Sequence, residues 1–134
     1  RVIFKEFPIL REGSIIASKG ALAANRQGKY REMHVALMKS RGLAAMKDGK
    51  EDLDAVSNEV ERIAQSVGLN MDKFRKDMAD PAFDAHIDRV HREAAESGLE
   101  SSTPIFFVNG QSVQGFDEKR LDKMIGDARS SVKS

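Results

Sequence analysis

Few residues of this chain have side chains that commonly do catalytic chemistry, and their spacing argues against most kinds of active site. None of the 134 residues is cysteine, so disulfides, thiolate metal ligands and thiol catalysis are excluded within them. His86 and His91 are five residues apart, about 140° around a helix, so they cannot chelate one metal ion. His34 lies among apolar residues at helical spacing, which favours a core or boundary histidine. We therefore predict no metal site and no catalytic residue.

Other catalytic motifs are also missing from the sequence. No serine stands in a G-x-S-x-G elbow, and there is no glycine-rich loop of the kind that cradles phosphates. The carboxylate pairs Glu51-Asp52 and Asp117-Glu118 fall in a predicted loop and at a predicted helix start. Solvation and the helix dipole explain acidic residues at both places. We predict no cofactor.

One segment is unusual, because Thr103-Pro104 stands directly before the apolar run of residues 105–108. Proline cannot donate a hydrogen bond to a sheet, so it is uncommon at the start of a central strand. A trans proline at the first residue of a strand is the more frequent arrangement, since only about 5–6% of X-Pro bonds in folded proteins are cis. A cis bond here would turn the chain sharply and present backbone groups to a ligand.

The periodicity of apolar residues predicts the elements before this segment. Residues 2–7 are β-branched and aromatic and stop at Pro8, which indicates a short edge strand. Ser14 is a candidate N-cap for a helix to about Gln27. Four more helices are predicted, with a solvated loop at residues 42–52 between two of them. The first of these helices runs from Tyr30 to Met38, with Gly42 as its expected C′ residue, and the second runs from Leu53 to Val67 and stops at Gly68. Asn70 should cap the third, and Asp80-Pro81 should begin the fourth, which ends before Gly98.

The pattern changes to strands near the end of the chain. Residues 105–108 form a continuous apolar run, as expected for a strand covered on both faces. Asn109-Gly110 predicts a hairpin turn, and residues 112–114 the return strand. A last helix after an Asp117 cap should bury four apolar side chains, Leu121, Met124, Ile125 and Ala128.

The order strand, helices, hairpin, helix predicts an α/β protein with an all-helical insertion. The composition is 40% hydrophobic and 32% charged, with a net charge of +1, as in ordinary globular domains. Basic and acidic residues alternate, so no nucleic-acid-binding surface is indicated. No apolar run approaches the roughly 20 residues of a membrane span, and no signal peptide is visible.

Several stretches resemble the DsbA-type thiol–disulfide oxidoreductases, in particular their envelope-protein branch. These stretches are residues 4–10 (FKEFPIL), an alanine-rich helix, residues 27–38 (QGKYREMHVALM) and residues 103–110 (TPIFFVNG). The last of them matches the family pattern T-P-x-F-x-x-N-G. Val113-x-Gly115 and the last helix follow in the expected order. The resemblance covers nearly all 134 residues.

The resemblance implies a thioredoxin-like fold in a single domain, residues 1–134. Residues 1–10 and 99–134 would form its thioredoxin part and residues 11–98 a mainly helical insertion. The resemblance also implies a cis Thr103-Pro104 bond, a proline that packs on the active-site disulfide, and substrate pairing with the backbone of Thr103. The implied substrates are unfolded or reduced polypeptides, in the periplasm or cell envelope of a bacterium.

The family's reactive group is a C-x-x-C at a helix start, and this chain has no cysteine to match it. The C-x-x-C, its helix and the first strand would precede Arg1, so we expect an incomplete fold that cannot itself exchange thiols. In this family the missing strand lies between residues 2–7 and 105–108. We therefore expect a homodimer through strand pairing, or further residues before Arg1 in the native protein.

Two other functions are compatible with these residues. One is a non-catalytic thioredoxin-fold binding module, and the other is a protein similar to kappa-class glutathione transferases or isomerases, which share the insertion. By the resemblance, Lys5 or Glu6 could match a charge that some members bury beneath the disulfide. A charged residue that protects an edge strand is the simpler explanation of both.

Overall fold

The structure is a computed structural model that describes residues 1–99 and 103–132. It divides into two compact units, residues 1–94 and residues 95–134, called here the helical unit and the hairpin unit. This division differs from the predicted grouping of residues 1–10 with 99–134, which stays a prediction. Among the described residues, no helix is both long and apolar enough to cross a membrane.

The helical unit consists of packed helices with one very short hairpin between them. Its helices and strands are α1 (Glu12–Asn25), α2 (Tyr30–Lys39), a 3-10 turn (Gly42–Ala44), β1 (Met46–Lys47), β2 (Lys50–Glu51), α3 (Leu53–Ser66), α4 (Met71–Met78) and α5 (Pro81–Glu96). β1 and β2 pair antiparallel. The buried core contains apolar side chains of every helix from α1 to α5, among them Ala23, Ala24, Met33, Leu37, Val56, Val60, Ile63, Phe74, Phe83 and Ile87.

Small residues of α1 allow this core to pack closely. Ala21, Ala23 and Ala24 are almost completely buried. A Cβ atom added at Gly20 would lie 2.7 Å from a methyl group of Val60 and 3.2 Å from the Met33 methyl carbon. Real Cβ atoms essentially never come within 3.0 Å of another atom, so any larger residue at this position would force Val60 or α1 to shift in a closely packed core.

Several predicted helix ends are confirmed. The Asn70 side chain accepts a hydrogen bond from the backbone N–H of Lys73 at the start of α4. Pro81 is the first residue of α5, and Gly68 follows α3 with a φ of 76°. These helix ends follow local rules for caps, proline and glycine, which is why the sequence predicts them.

The hairpin unit contains β3 (Ile105–Val108), β4 (Gln111–Gln114) and α6 (Glu118–Val132). β3 pairs antiparallel with β4 across a turn in which Asn109 and Gly110 have φ values of 48° and 81°. Two residues with positive φ are what a type I′ turn requires, so the predicted hairpin is confirmed. The Asp117 side chain accepts from the N–H of Arg120 and caps α6, also as predicted.

The predicted strand at residues 2–7 is wrong for the described part of the chain. Residues 1–9 have no regular secondary structure, and Val2, Ile3 and Phe4 are 79%, 66% and 65% exposed. A strand is defined by its hydrogen-bonded neighbour, and β-branched composition alone does not supply one. No strand among the described residues pairs with this segment.

Three smaller predictions also differ from the structure. α1 begins at Glu12 after Arg11, so Ser14 is not its N-cap, and Gly42 begins a 3-10 turn where a C′ residue was expected. The predicted loop at residues 42–52 contains β1 and β2. Elements this short carry too few residues to show a period in sequence.

The predicted burial of β3 and α6 is also too great. Phe107 is 55% exposed, and of the four apolar residues expected to be buried on α6, only Leu121 is. A two-stranded sheet and one helix have too few neighbours in the described hairpin unit to cover both faces of β3.

Candidate functional site

Thr103 and Pro104 stand immediately before β3, and both are exposed. The peptide bond between them is cis, the geometry that the family resemblance implies. The Pro104 carbonyl oxygen accepts a hydrogen bond from the N–H of Gly115 at 2.9 Å, just beyond the end of β4. This bond extends the hairpin ladder by one step and fixes Pro104 relative to the strand that follows it.

β3 has one strand partner in the described part of the chain. Its register runs from Ile105 opposite Gln114 to Val108 opposite Gln111. The sheet contains these two strands, so the second edge of β3 has no strand beside it among the described residues. An open strand edge presents backbone N–H and C=O groups, which another extended chain can pair with.

Aromatic side chains lie around this hairpin. The rings of Phe106 and Phe116 are 6.2 Å apart, and Phe116 is 71% exposed. Phe107, on the opposite face of β3 from Phe106, is 55% exposed. The hairpin therefore combines open backbone groups with exposed apolar rings.

A second group of polar residues lies in the helical unit around Glu6. The Glu6 side chain is 15% exposed and accepts hydrogen bonds from Ser18 Oγ at 3.1 Å and from the Tyr30 hydroxyl at 2.5 Å. Nδ1 of His34 lies 3.7 Å from the same carboxylate. Burial and the hydrogen bond to Glu6 raise the pKa of Tyr30 above its ordinary value.

Aromatic rings enclose this cluster on one side. The Tyr30 and His34 rings stack with centroids 5.5 Å apart, and Phe4 lies 5.7 Å from Tyr30 and 6.0 Å from His34. The His34 side chain is 33% exposed, so it is a boundary histidine, as its sequence position indicates.

Lys5 and Glu6 have different environments. The Lys5 ammonium group pairs with Glu93 on α5, both side chains are about half exposed, and this hydrogen bond helps to lower the pKa of Glu93. Lys5 is therefore a surface charge, and Glu6 is the charge that is largely buried. Ser18 and Tyr30, which contact Glu6, are 12 and 24 residues away in sequence, so no local motif marks the cluster.

The other two histidines have separate partners. Nε2 of His91 lies 2.9 Å from the Pro8 carbonyl oxygen, and its ring contacts the Phe7 ring edge-on at 5.0 Å. His86 lies 3.1 Å from a guanidinium nitrogen of Arg89. Among the described residues, no three His, Asp or Glu side chains come together in a way that could hold a metal ion.

Comparisons with known proteins place the chain in a family. A family model described as a DSBA-like thioredoxin domain matches residues 2–127. A thioredoxin-like oxidoreductase from Silicibacter pomeroyi DSS-3 is similar in structure over 94% of this chain, with a TM-score of 0.72 and 35% identity. The chain spans 66% of that oxidoreductase.

A second relative is much longer than this chain. The Na(+)/H(+) antiporter NhaA 3 of Salinispora tropica is 30% identical over 117 residues, which are 86% of this chain and 16% of that protein. The family match and the structural neighbour together support a thioredoxin-like fold with a helical insertion. The chain belongs to the DSBA-like thioredoxin domain family.

Proposed function

We propose that this chain is the C-terminal part of a DsbA-like protein disulfide oxidoreductase. In this proposal it contributes the helical insertion and the substrate-contacting segment Thr103-Pro104. The observation that carries the proposal is the family match over residues 2–127, together with the 35% identity to a thioredoxin-like oxidoreductase that is longer than this chain. Residues 1–134 would then belong to one domain of the whole protein, with residues 1–10 and 99–134 in its thioredoxin part.

The substrates of the whole protein would be unfolded or reduced polypeptides in the envelope of a bacterium. Such chains are extended, so they can pair with exposed backbone in a strand-like way. Thr103 and Pro104 are exposed beside a hairpin with aromatic side chains, which suits this mode of contact. Thiol exchange itself requires cysteines, and none lies in residues 1–134.

The coding sequence upstream of Arg1 tests the proposal directly. We expect a C-x-x-C about 25–35 residues before Val2, the length of a strand, a helix and their connections. The whole protein should then catalyse the reduction of insulin by dithiothreitol, and replacing the first of those cysteines by serine should abolish this catalysis. Residues 1–134 alone serve as the negative control. Serine in place of the C-x-x-C, or no such motif within about 50 upstream codons, would contradict the proposal.

Photo-crosslinking tests the substrate-contacting segment separately. A photoreactive amino acid introduced at Thr103 should capture a reduced, alkylated and unfolded polypeptide, whereas the same amino acid at Ser112 on β4 should capture far less. Both positions are exposed and lie in the same unit, so a difference in the amount of captured polypeptide reflects the position of the photoreactive amino acid. Equal capture at the two positions, or equal capture of the folded polypeptide, would show that Thr103 has no special role.

We also propose that residues 1–134 associate through the open edge of β3. Unpaired strand edges favour pairing with another chain, and the second edge of β3 has no strand beside it in the described residues. Sedimentation equilibrium of the 134-residue chain should show a dimer that dissociates when Phe107→Lys is introduced beside that edge. A monomer at all accessible concentrations would exclude this association.

A non-catalytic binding module is the second candidate function, because the exposed Thr103-Pro104 segment and the aromatic rings of the hairpin could bind a polypeptide without a cysteine. Such a module would keep the exposed hairpin and bind polypeptides without exchanging thiols. It predicts the same crosslinking result at Thr103 but no C-x-x-C upstream, so the two experiments together separate the functions.

A further inference from the structure

Residues 1–10 contribute no buried side chain to the helical unit, whereas each of its helices buries side chains against the others. One cluster of buried apolar side chains, with those packed against it, comes from residues 16–83, and α5 adds three more buried apolar residues, Ile87, Val90 and Ala94. None of residues 1–10 is buried, and Val2, Ile3 and Phe4 are more than half exposed. No side chain of this segment belongs to that cluster, although the rings of Phe4 and Phe7 contact those of Tyr30, His34 and His91.

Polar side chains hold the segment at three successive points. Lys5 pairs with Glu93, Glu6 accepts hydrogen bonds from α1 and α2, and the Pro8 carbonyl lies in hydrogen-bonding contact with His91. The contacts come from three different helices, so they fix the direction in which the segment crosses the unit. Residues 4–8 are called the strap below.

The three attachments differ in expected strength. The Lys5–Glu93 pair is about half exposed on both sides, and exposed ion pairs contribute little to stability. The His91 contact is a single hydrogen bond to a neutral carbonyl. Glu6 is 15% exposed and accepts two hydrogen bonds as a carboxylate, and bonds to charged groups are about twice as strong as neutral ones.

We propose that the strap is a separately detachable segment and that Glu6 is the latch that holds it on the helical unit. Ser18 and Tyr30 are the positioning residues of this latch, and the helices stay folded when it opens. Local opening of this kind is expected where a segment has few buried apolar contacts. All contacts of the strap named above lie within residues 1–94, and none of them involves Thr103 or Pro104.

Nuclear magnetic resonance relaxation of the full 134-residue chain tests the latch. Backbone order parameters of about 0.85 are expected for the strap in the wild type, as for the helices, and values below about 0.6 in Glu6→Gln. Tyr30→Phe removes one donor without changing the strap and should lower the values partway. Glu32→Gln on the exposed face of α2 is the matched control and should leave the strap ordered.

A spectroscopic titration provides an independent reading of the same contact. Tyr30 is the only tyrosine and there is no tryptophan, so phenolate absorbance reports on this side chain alone. In the wild type and in Glu32→Gln, Tyr30 should ionise well above about pH 10, the ordinary tyrosine value. In Glu6→Gln the midpoint should fall towards that value, because both the carboxylate and the cover of the strap are lost.

Two results would overturn the proposal. If Glu6→Gln leaves the order parameters of the strap unchanged, Glu6 is not the latch. If the order parameters of α1 and α3 fall together with those of the strap, the strap is an integral part of the helical fold and does not detach separately.

Discussion

Replacing Met33 by alanine is expected to destabilise the helical unit by about 2–5 kcal/mol, the usual cost of truncating a buried methionine. Met33 is 0% exposed and lies on the core side of α2, where its methyl carbon is among the atoms nearest to Gly20 of α1. Truncation leaves a cavity between these two helices, which the surrounding close-packed side chains can fill only partly. Because domains are stable by only about 5–15 kcal/mol, this loss is a large part of the total.

The same helix offers a matched control, since Met38 is 74% exposed. Met38→Ala removes the same atoms from a solvated position and should change stability by less than about 0.5 kcal/mol. Urea unfolding followed by circular dichroism at 222 nm measures both variants. Equal losses for Met33→Ala and Met38→Ala would mean that α2 does not pack on α1 as described.

Replacing Asp77 by alanine is expected to cost about 2–3 kcal/mol, from the loss of two charge-assisted hydrogen bonds in a largely buried place. The Asp77 side chain is 10% exposed and accepts hydrogen bonds from Arg26, the residue that follows α1, at 2.8 Å and from Lys73 on α4 at 2.9 Å. Arg26 also lies over the ring of Phe83 at 4.4 Å, so Asp77 helps to hold α1, α4 and α5 together.

Asp127 on α6 is the control for this substitution. Both aspartates pair with a lysine four residues earlier in their helix, but the Asp127 side chain is 67% exposed and that of Asp77 is not. An exposed pair of this spacing contributes about 0.3–0.5 kcal/mol, so Asp127→Ala should have a small effect. Similar losses of stability for both variants in urea unfolding would show that the Arg26–Asp77 hydrogen bond adds nothing to the stability that the Lys73–Asp77 pair provides.

The Asp77 network also predicts how stability depends on pH. Burial acts to raise the pKa of Asp77, but the hydrogen bonds from Lys73 and Arg26 outweigh it and hold the pKa below its ordinary value. The folded state then binds the proton more weakly than the unfolded state, whose aspartates titrate near about pH 3.9. The contribution of Asp77 is therefore present above that pH and is lost as the pH falls through the lower, folded-state pKa. Asp77→Ala should therefore reduce the acid dependence of the urea-unfolding midpoint in this range.

Much of the fold could be predicted from sequence because its signals are local. Asn70, Asp117 and Pro81 mark helix starts, and Asn109-Gly110 marks the hairpin turn. In each case the physical cause is the backbone conformation or hydrogen bond of one or two residues. The family also follows from sequence, since its pattern covers nearly the whole chain and the family model matches residues 2–127.

The conformation of residues 2–7 is a feature that local sequence signals do not predict correctly. Their β-branched and aromatic composition predicts a strand, but a strand exists only beside a partner, and the described residues supply none. The exposure of Phe107 has the same origin, because burial of β3 depends on neighbours that the local pattern does not contain. Sequence position likewise did not separate Lys5 from Glu6, which are adjacent in the chain and differ completely in environment.

The sequence by itself determined which chemistry residues 1–134 can perform, since no cysteine is available for thiol exchange. It also determined where α4, α5 and α6 begin, where α3 ends and where the hairpin turns, because caps and turns act over one to four residues. Only the tertiary structure decided that Glu6 is the more enclosed of the two charges, joined to Ser18 and Tyr30, and that the strap lies outside the core cluster. Such contacts link residues 12 and 24 positions apart through the packing of whole helices, and no spacing rule in the sequence reaches that far.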